Sequence, residues 1–387
     1  MLTVRKLKLA AVLGLAVGLL SLGGTATAAK SRVWVVDDNK VECPRADYTS
    51  VQAAVNAAGP GDIIKVCPGT YMEQVTIPAG KNGLTLRSER KEAAIIKAPS
   101  VMAEPKAIVR VSSSTGVTIS SFTISGPGGG PCDSIRYGVR VDGGGHADIL
   151  DNHITMIRDN PFSGCQNGNA VQIGRNFEGQ VGTASVQRNT IDNYQKTGVV
   201  VDGPGSSGDI GHNTILGVGP TATTAQNGVQ ISRNATGSVH HNTISGNLYS
   251  PQNFASAGVL LTISPDAVEV SHNDLSNNDE SIYVIDTEGA LISHNTITGS
   301  TFDGVGMINA TDCTVSYNDI SGSGYDGIYV FSDSADNVFE HNRLSNNGEH
   351  DAHDESVGPG TGGTANIWEH NGCDSPNPEN KPGLCQN

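Results

Sequence analysis

The chain has 387 residues, is rich in glycine (48) and poor in aromatics (5%), and sets 39 acidic against 24 basic side chains, a formal net charge of −15. That balance excludes a nucleic-acid partner, which requires a basic face to neutralise phosphates. Seven cysteines point to an oxidising compartment.

Residues 1–28 read as a secretory signal peptide. Arg5, Lys6 and Lys8 precede a short apolar run that ends in the small-x-small sequence Ala26-Thr27-Ala28. The run is too short to anchor and nothing later resembles a stop-transfer segment, so the expectation is a secreted, extracellular monomer without membrane insertion. Residues 29–62 form an N-terminal segment with a capping helix. Ser50 to Ala58 reads as a short amphipathic helix with Thr49 or Ser50 as N-cap and Gly59-Pro60 as its stop. Val51, Ala54, Val55 and Ala58 make its buried stripe.

From Ile63 to Asn347 the chain repeats. Aligned on Asn152, Asn189, Asn213, Asn242, Asn273, Asn295, Asn318 and Asn342, every position two residues later is Ile or Leu, and every position three residues earlier is Ile, Val or Phe. Val117 to Ile124 fits the same template, with Phe122 in the Asn slot. A second phrase of the type Gly-Val-x-Val precedes each Asn, and from Gly198 it recurs at spacings of 30, 30, 23, 23 and 23. Short period-2 strands divided by Gly, Asn, Asp and Ser turns cannot bury their apolar faces singly; stacked copies can. The fold class is therefore all-β: a right-handed parallel β-helix over residues 63–347, with the short N-terminal capping helix before it and an irregular C-terminal cap over 348–387, where Trp368 is a plausible lid. The Asn column suits left-handed turn backbone and hydrogen bonds between coils. Proximity pairs Cys43 with Cys67, Cys132 with Cys165 and Cys373 with Cys385, while Cys313 falls in the small, apolar column five before the Asn.

The stretch Asp47 to Ile77, DYTSVQAAVNAAGPGDIIKVCPGTYMEQVTI, resembles the start of the pectin-lyase-like superfamily, where an alanine-rich cap helix leads into the first coils. With the Asn-x-Ile ladder behind it, the resemblance covers nearly all of the chain after the signal peptide. It implies a β-helix and a setting among polysaccharide lyases, hydrolases, esterases and epimerases, but it carries no catalytic residue over. The Gln, paired-Asp and Arg motifs of pectin methylesterases are absent, as are the polygalacturonase and pectate lyase signatures. Asp37-Asp38 lies before the coils, and Gly145-His146 continues with Ala.

Chemistry must then be read from the columns. In the Gly-Val-x-Val strands the outward positions are Arg140, Gln172, Val200, Gln230, Leu260, Tyr283, Gly306 and Tyr329. Just before the strand come Tyr137, Asn169, Thr197, Asn227, Ala257, Glu280, Asp303 and Asp326. Glu280, Asp303 and Asp326 are thus expected to stack on consecutive coils as catalytic acids, with Tyr283, Tyr325 and Tyr329 beside them to bind sugar rings. Stacked acids also share protons or hold a cation such as Ca2+, and Asp-Gly is equally a good turn pair. A uronate lyase would need basic residues, and Arg140 and Lys196, with Arg136 and Arg175, are the candidates for a mid-helix groove. His212, His241, His272, His294 and His341 form a column that either stacks or shares zinc or copper, and His350, Asp351, His353 and Asp354 make a denser cluster in the tail. The favoured function is binding and cleavage of an extracellular polysaccharide by a hydrolase or uronate lyase. The alternative is a non-catalytic adhesion or carbohydrate-binding solenoid.

Overall fold

A computed structural model describes residues 31–264 and 268–386; the signal peptide assigned to residues 1–28 lies outside them. Each winding lays down one strand in each of three parallel sheets, which we call A, B and C. Among the described residues these contain 13, 12 and 11 strands.

The register is the one that the columns demand. Ile149, Val186, Ile210, Val239, Val270, Ile292, Val315 and Phe339 pair in succession on sheet A. The residues two after each Asn, Ile154 to Leu344, do so on sheet B. Both columns are fully buried and fill the tube. The period-2 pattern leaves no alternative, because a slip by one residue would turn every aliphatic side chain to solvent.

The corner between sheets A and B is held by the Asn column. Each Nδ2 donates to the Oδ1 of the Asn on the next coil at 2.9–3.1 Å, from Asn152 through to Asn371. Each also donates to a carbonyl of the preceding coil, as Asn242 does to Ile210 at 2.9 Å. The left-handed backbone, however, belongs to the residue before the Asn. His212, His241, His272, His294, Tyr317, His341 and His370 have φ of 54–58°. Their rings consequently point outward and stack in one file, with centroids 4.8–5.1 Å apart.

The helix occupies Val51–Ala57, with Ser50 as N-cap and Val51, Ala54 and Val55 buried. Two boundaries move. Before the helix, Val33–Val36 already forms the first strand of sheet A, paired with Ile63–Val66. After Asn347 the winding continues instead of dissolving: Ala352–Asp354 joins sheet C, Ile367–Glu369 sheet A and Gly372–Cys373 sheet B. Asn371 is the last rung. The repeat was hidden there because an intervening loop stretches the spacing and Cys373 takes the Ile/Leu slot. Trp368 closes the tube as a lid, stacked on Phe339 at 4.0 Å with its Nε1 donating to Asp354. The disulfides are Cys43–Cys67, Cys132–Cys165 and Cys373–Cys385. Cys313 is buried in its column. Among the described residues no helix is long and apolar enough to cross a membrane.

Candidate active site

Glu280, Asp303 and Asp326 precede strands Glu280–Glu288, Val305–Thr311 and Ile328–Val330 of sheet C or begin them. Ile282, Val305 and Ile328 pair in register, which places the three acids over one another on consecutive coils. Upstream the same column holds Tyr137, Asn169, Thr197, Asn227 and Ala257, all paired as the sequence arranges them. The acids are only 6%, 6% and 3% exposed.

Close stacking of buried carboxyls disfavours their ionisation. Burial, reinforced by the charge of Asp303, raises the Glu280 carboxyl well above its ordinary range. Its Oε2 has no hydrogen-bond partner. Burial and the neighbouring Asp326 charge raise Asp303 to about 7, against the pull of the Asp326 amide, which donates to Asp303 Oδ1 at 2.9 Å. Asp326 is supplied with donors on both oxygens. The His350 amide lies 2.8 Å from Oδ1, and His353 Nδ1 lies 3.0 Å from Oδ2. Burial draws the His353 imidazole down, but the Asp326 hydrogen bond and the surrounding carboxylates carry it above its ordinary value.

The tyrosines assemble here too. Burial and the charges of Glu280 and Asp303 raise Tyr283 to about 12. Tyr329 is raised by burial and by Glu355. Tyr325 is 48% exposed and stacks on Phe302 at 5.7 Å. A cleft of about 400 Å3 is lined by Asp303, Tyr325, Asp326, Tyr329, Glu349, His353 and Glu355.

The basic groove does not form. Arg140 does point away from the tube, but the turn around Glu178 covers it, leaving it 1% exposed. It is paired with Asp142 at 2.7 Å and Glu178 at 2.5 Å. Lys196 donates through Nζ to the Ala225 carbonyl at 2.6 Å. Arg136 is held by Asp133 and Glu104. These cations pair with neighbouring acids or cap carbonyls; Arg140 is covered, and Lys196, half-buried, is tied to a carbonyl.

The tail cluster divides in the same way. Asp351 and Asp354 are both buried, and accept from Asn347 and Trp368 respectively. His350 and His353 face Asp326, a pairing that sequence reading missed although the Ala-His-Asp alternation signals it. Asp326, His350 and His353 present donor atoms within 4.8 Å of one another, as do His212, His240 and His241. Two imidazoles suit a transition metal better than Ca2+, which takes six to eight oxygens. A wider groove of about 800 Å3 on sheet A, lined by His146, Ser185, Asp209, Ser238 and Glu269 among others, was also not foreseen.

Three sheets wound in parallel, with an acid stack on the flank of one, define a parallel β-helix protein whose candidate chemistry sits on sheet C. The family described as "Right handed beta helix region" matches residues 77–289, more than half of the chain, and the protein belongs to that family. Residues 223–359 are similar to the family "Periplasmic copper-binding protein (NosD)". Among solved structures, the GH136 lacto-N-biosidase from Eubacterium ramulus is similar with a TM-score of 0.64 at 12% identity, over 89% of this chain and 68% of that one. The A-module of Azotobacter vinelandii mannuronan C-5 epimerase AlgE4 gives 0.56 at 14% identity, over 87% and 94%. The Dettilon tailspike protein gives 0.58 at 12% identity, over 84% and 63%. No curated protein matches the chain. At such identities the likeness establishes the fold alone.

Proposed function

We propose that this protein is a secreted glycoside hydrolase acting on an extracellular polysaccharide, with Asp303 and Asp326 as the reacting pair. The observation that carries the reading is the buried stack of Glu280, Asp303 and Asp326 beside an aromatic-rimmed cleft. Asp303 keeps its proton at mildly acidic pH and would protonate the leaving glycosidic oxygen. Asp326, held by the His350 amide and His353, would be the carboxylate that attacks. Neighbouring coils lie about 4.8 Å apart, close to the carboxyl separation of about 5–5.5 Å in retaining enzymes, so retention of configuration is expected. The similar folds of a lacto-N-biosidase and a mannuronan epimerase support a glycan substrate. An export signal and three disulfides suit an extracellular setting.

A uronate lyase is disfavoured because Arg140 and Lys196 are engaged elsewhere. A non-catalytic glycan-binding solenoid is the second reading, favoured by the exposed Tyr325 ring on Phe302.

The test is reducing-end release across a polysaccharide panel, with absorbance followed in the unsaturated-uronate band. Asp303→Asn or Asp326→Asn should each lower kcat by about 10²–10⁴-fold. Full activity in the double variant would refute the site. Growth of the unsaturated-uronate band would restore the lyase reading, and binding without release by the wild type would favour the second.

A further inference from the structure

The file of rings at the corner between sheets A and B changes at one place. Along most of it neighbouring planes lie within 1–15° of parallel. Imidazole lone pairs lie in the ring plane, so parallel rings point theirs side by side and do not converge on an ion. Between His212 and His241 the angle opens to 23°, and a third imidazole, His240, crosses both at 88° and 84°. His240 belongs to the adjoining column of sheet A, where Gln187, Gly211, His240, Ser271, Ser293 and Ser316 follow in register. It is the only imidazole among those six.

A glycine on the preceding coil makes room for it. Gly211 ends the strand Ser207–Gly211, and its φ is not in the left-handed region. A Cβ there would meet His240 Cε1 at 2.3 Å and Nε2 at 2.7 Å, so the His240 ring occupies the space that the missing side chain leaves. Lying back over that coil, the ring places Nε2 2.8 Å from Asp209 Oδ1. A carboxylate only accepts, so Nε2 carries the proton and the neutral ring presents its lone pair at Nδ1. Asp209 is itself held by Gln187 Nε2 at 2.9 Å and by the Ser238 hydroxyl at 3.1 Å. A carboxylate that fixes the tautomer of an imidazole from behind is the usual support of a metal-binding histidine.

The free nitrogen faces a second one. His240 Nδ1 lies 3.2 Å from His241 Nδ1, and His212 brings a ring nitrogen within 4.8 Å of both partners. Two nitrogens on one tetrahedral zinc ion, each bound at about 2.0–2.1 Å, stand about 3.3 Å apart. The His240–His241 pair already has that spacing. His212 and His241 are exposed and His240 is half-buried, so the His212 ring has room to swing in and a fourth position is left to water. Three imidazoles suit Zn2+. The set offers neither the thiolate or thioether that Cu+ prefers nor the six to eight oxygens of Ca2+.

We propose that His212, His240 and His241 bind one Zn2+ through three imidazole nitrogens, with Asp209 as the positioning residue that holds His240 in the binding tautomer. The site lies on sheet A and is independent of the acid stack and of the hydrolase reading. Elsewhere in the file the stacked rings have only serines or an acid beside them, as His272 has Ser271 and His294 has Ser293, and they bind no ion in this way.

The experiment uses the chain without a polyhistidine tag, stripped with EDTA. It is titrated with Zn2+ by calorimetry and with Co2+ in the visible, where a tetrahedral ion absorbs far more strongly than an octahedral one. The wild type should take up one equivalent more than His240→Gln, with an intense cobalt band that the variant lacks. Taking the difference separates this site from any ion held beside Asp326. Asp209→Asn should weaken the same equivalent about 10–100-fold. His294→Gln, farther along the file, should leave it unchanged, and thermal unfolding of the stripped proteins serves as the fold control. Should His240→Gln fail to fold, His212→Gln, at an exposed ring, carries the same expectation and decides in its place. Equal uptake by the wild type and the folded glutamine variant, an octahedral cobalt spectrum, or a loss in His294→Gln as large as in His240→Gln overturns the site. Unchanged affinity in a folded Asp209→Asn overturns the positioning role.

Discussion

Replacing Asp303 by asparagine keeps the shape of the side chain and the acceptor for the Asp326 amide at 2.9 Å, and removes only the ionisable proton. In the folded protein, burial first and the Asp326 charge second raise this carboxyl from 3.8 to about 7. At 6% exposure the group is little screened by solvent. Below about pH 4 it is protonated in both the folded and the unfolded chain, and its contribution to stability is fully present. As pH rises from about 4 to 7 the unfolded chain releases the proton while the folded chain retains it. Wild-type stability then falls by about 1.4 kcal/mol per pH unit. Over roughly three pH units the loss reaches about 4 kcal/mol and is complete above pH 7. The asparagine variant is spared it. In urea unfolding, Asp303→Asn should therefore gain on the wild type by up to about 4 kcal/mol between about pH 4 and pH 8. Glu280, His353 and Glu349 also face this group, so the same series on a Glu280→Gln background isolates the contribution of Asp303. A difference between variant and wild type that stays flat within about 1 kcal/mol across that range would refute the buried-acid argument.

Two further outcomes test the frame that presents the site. Asn242→Ala removes the partner of the buried Asn213 amide at 2.9 Å and Ile210 carbonyl at 2.9 Å on the preceding coil, and of Asn273 Oδ1 at 2.9 Å on the next. It should cost about 3 kcal/mol in urea unfolding, and a loss below about 1 kcal/mol would deny the ladder its role. Trp368→Ala removes the fully buried lid on Phe339 and should cost about 3–5 kcal/mol, read as a lower Tm; an unchanged Tm would mean that the tube is closed by other residues.

What was legible in the sequence is what the period enforces. Once Ile149, Val186 and Ile210 occupy one buried column, every other residue of those coils has its face and its neighbours assigned. The stack of Glu280, Asp303 and Asp326 follows from that assignment. What was not legible depends on chain that leaves the period. Arg140 is outward by alternation, yet the turn carrying Glu178, thirty-eight residues on, buries it, and no spacing rule foretells that contact. His350 and His353 were read as tail because a loop separates them from the next rung, although the coil places them beside Asp326. The left-handed position was assigned to Asn by residue preference, whereas the ladder keeps Asn in place through its side chain and moves the strain one residue earlier.

The same logic explains why the acids gather late in the chain. Between sheets B and C two coils carry long connections, from Leu216 to Asn227 and from Ser245 to Ala257, whereas that from Asp192 to Thr197 is short. From Ser276 the next strand of sheet C begins already at Glu280, and the repeat shortens from 30 to 23 residues. Upstream the polar residues of the column bond within their own strand, as Asn169 Nδ2 does to Gln172 Oε1 at 2.9 Å. In the late coils the column holds the buried acids, and Asp326 is covered by His350 and His353. A stack of carboxyls covered by its own neighbours stays desolvated enough to hold protons while still bordering a cleft.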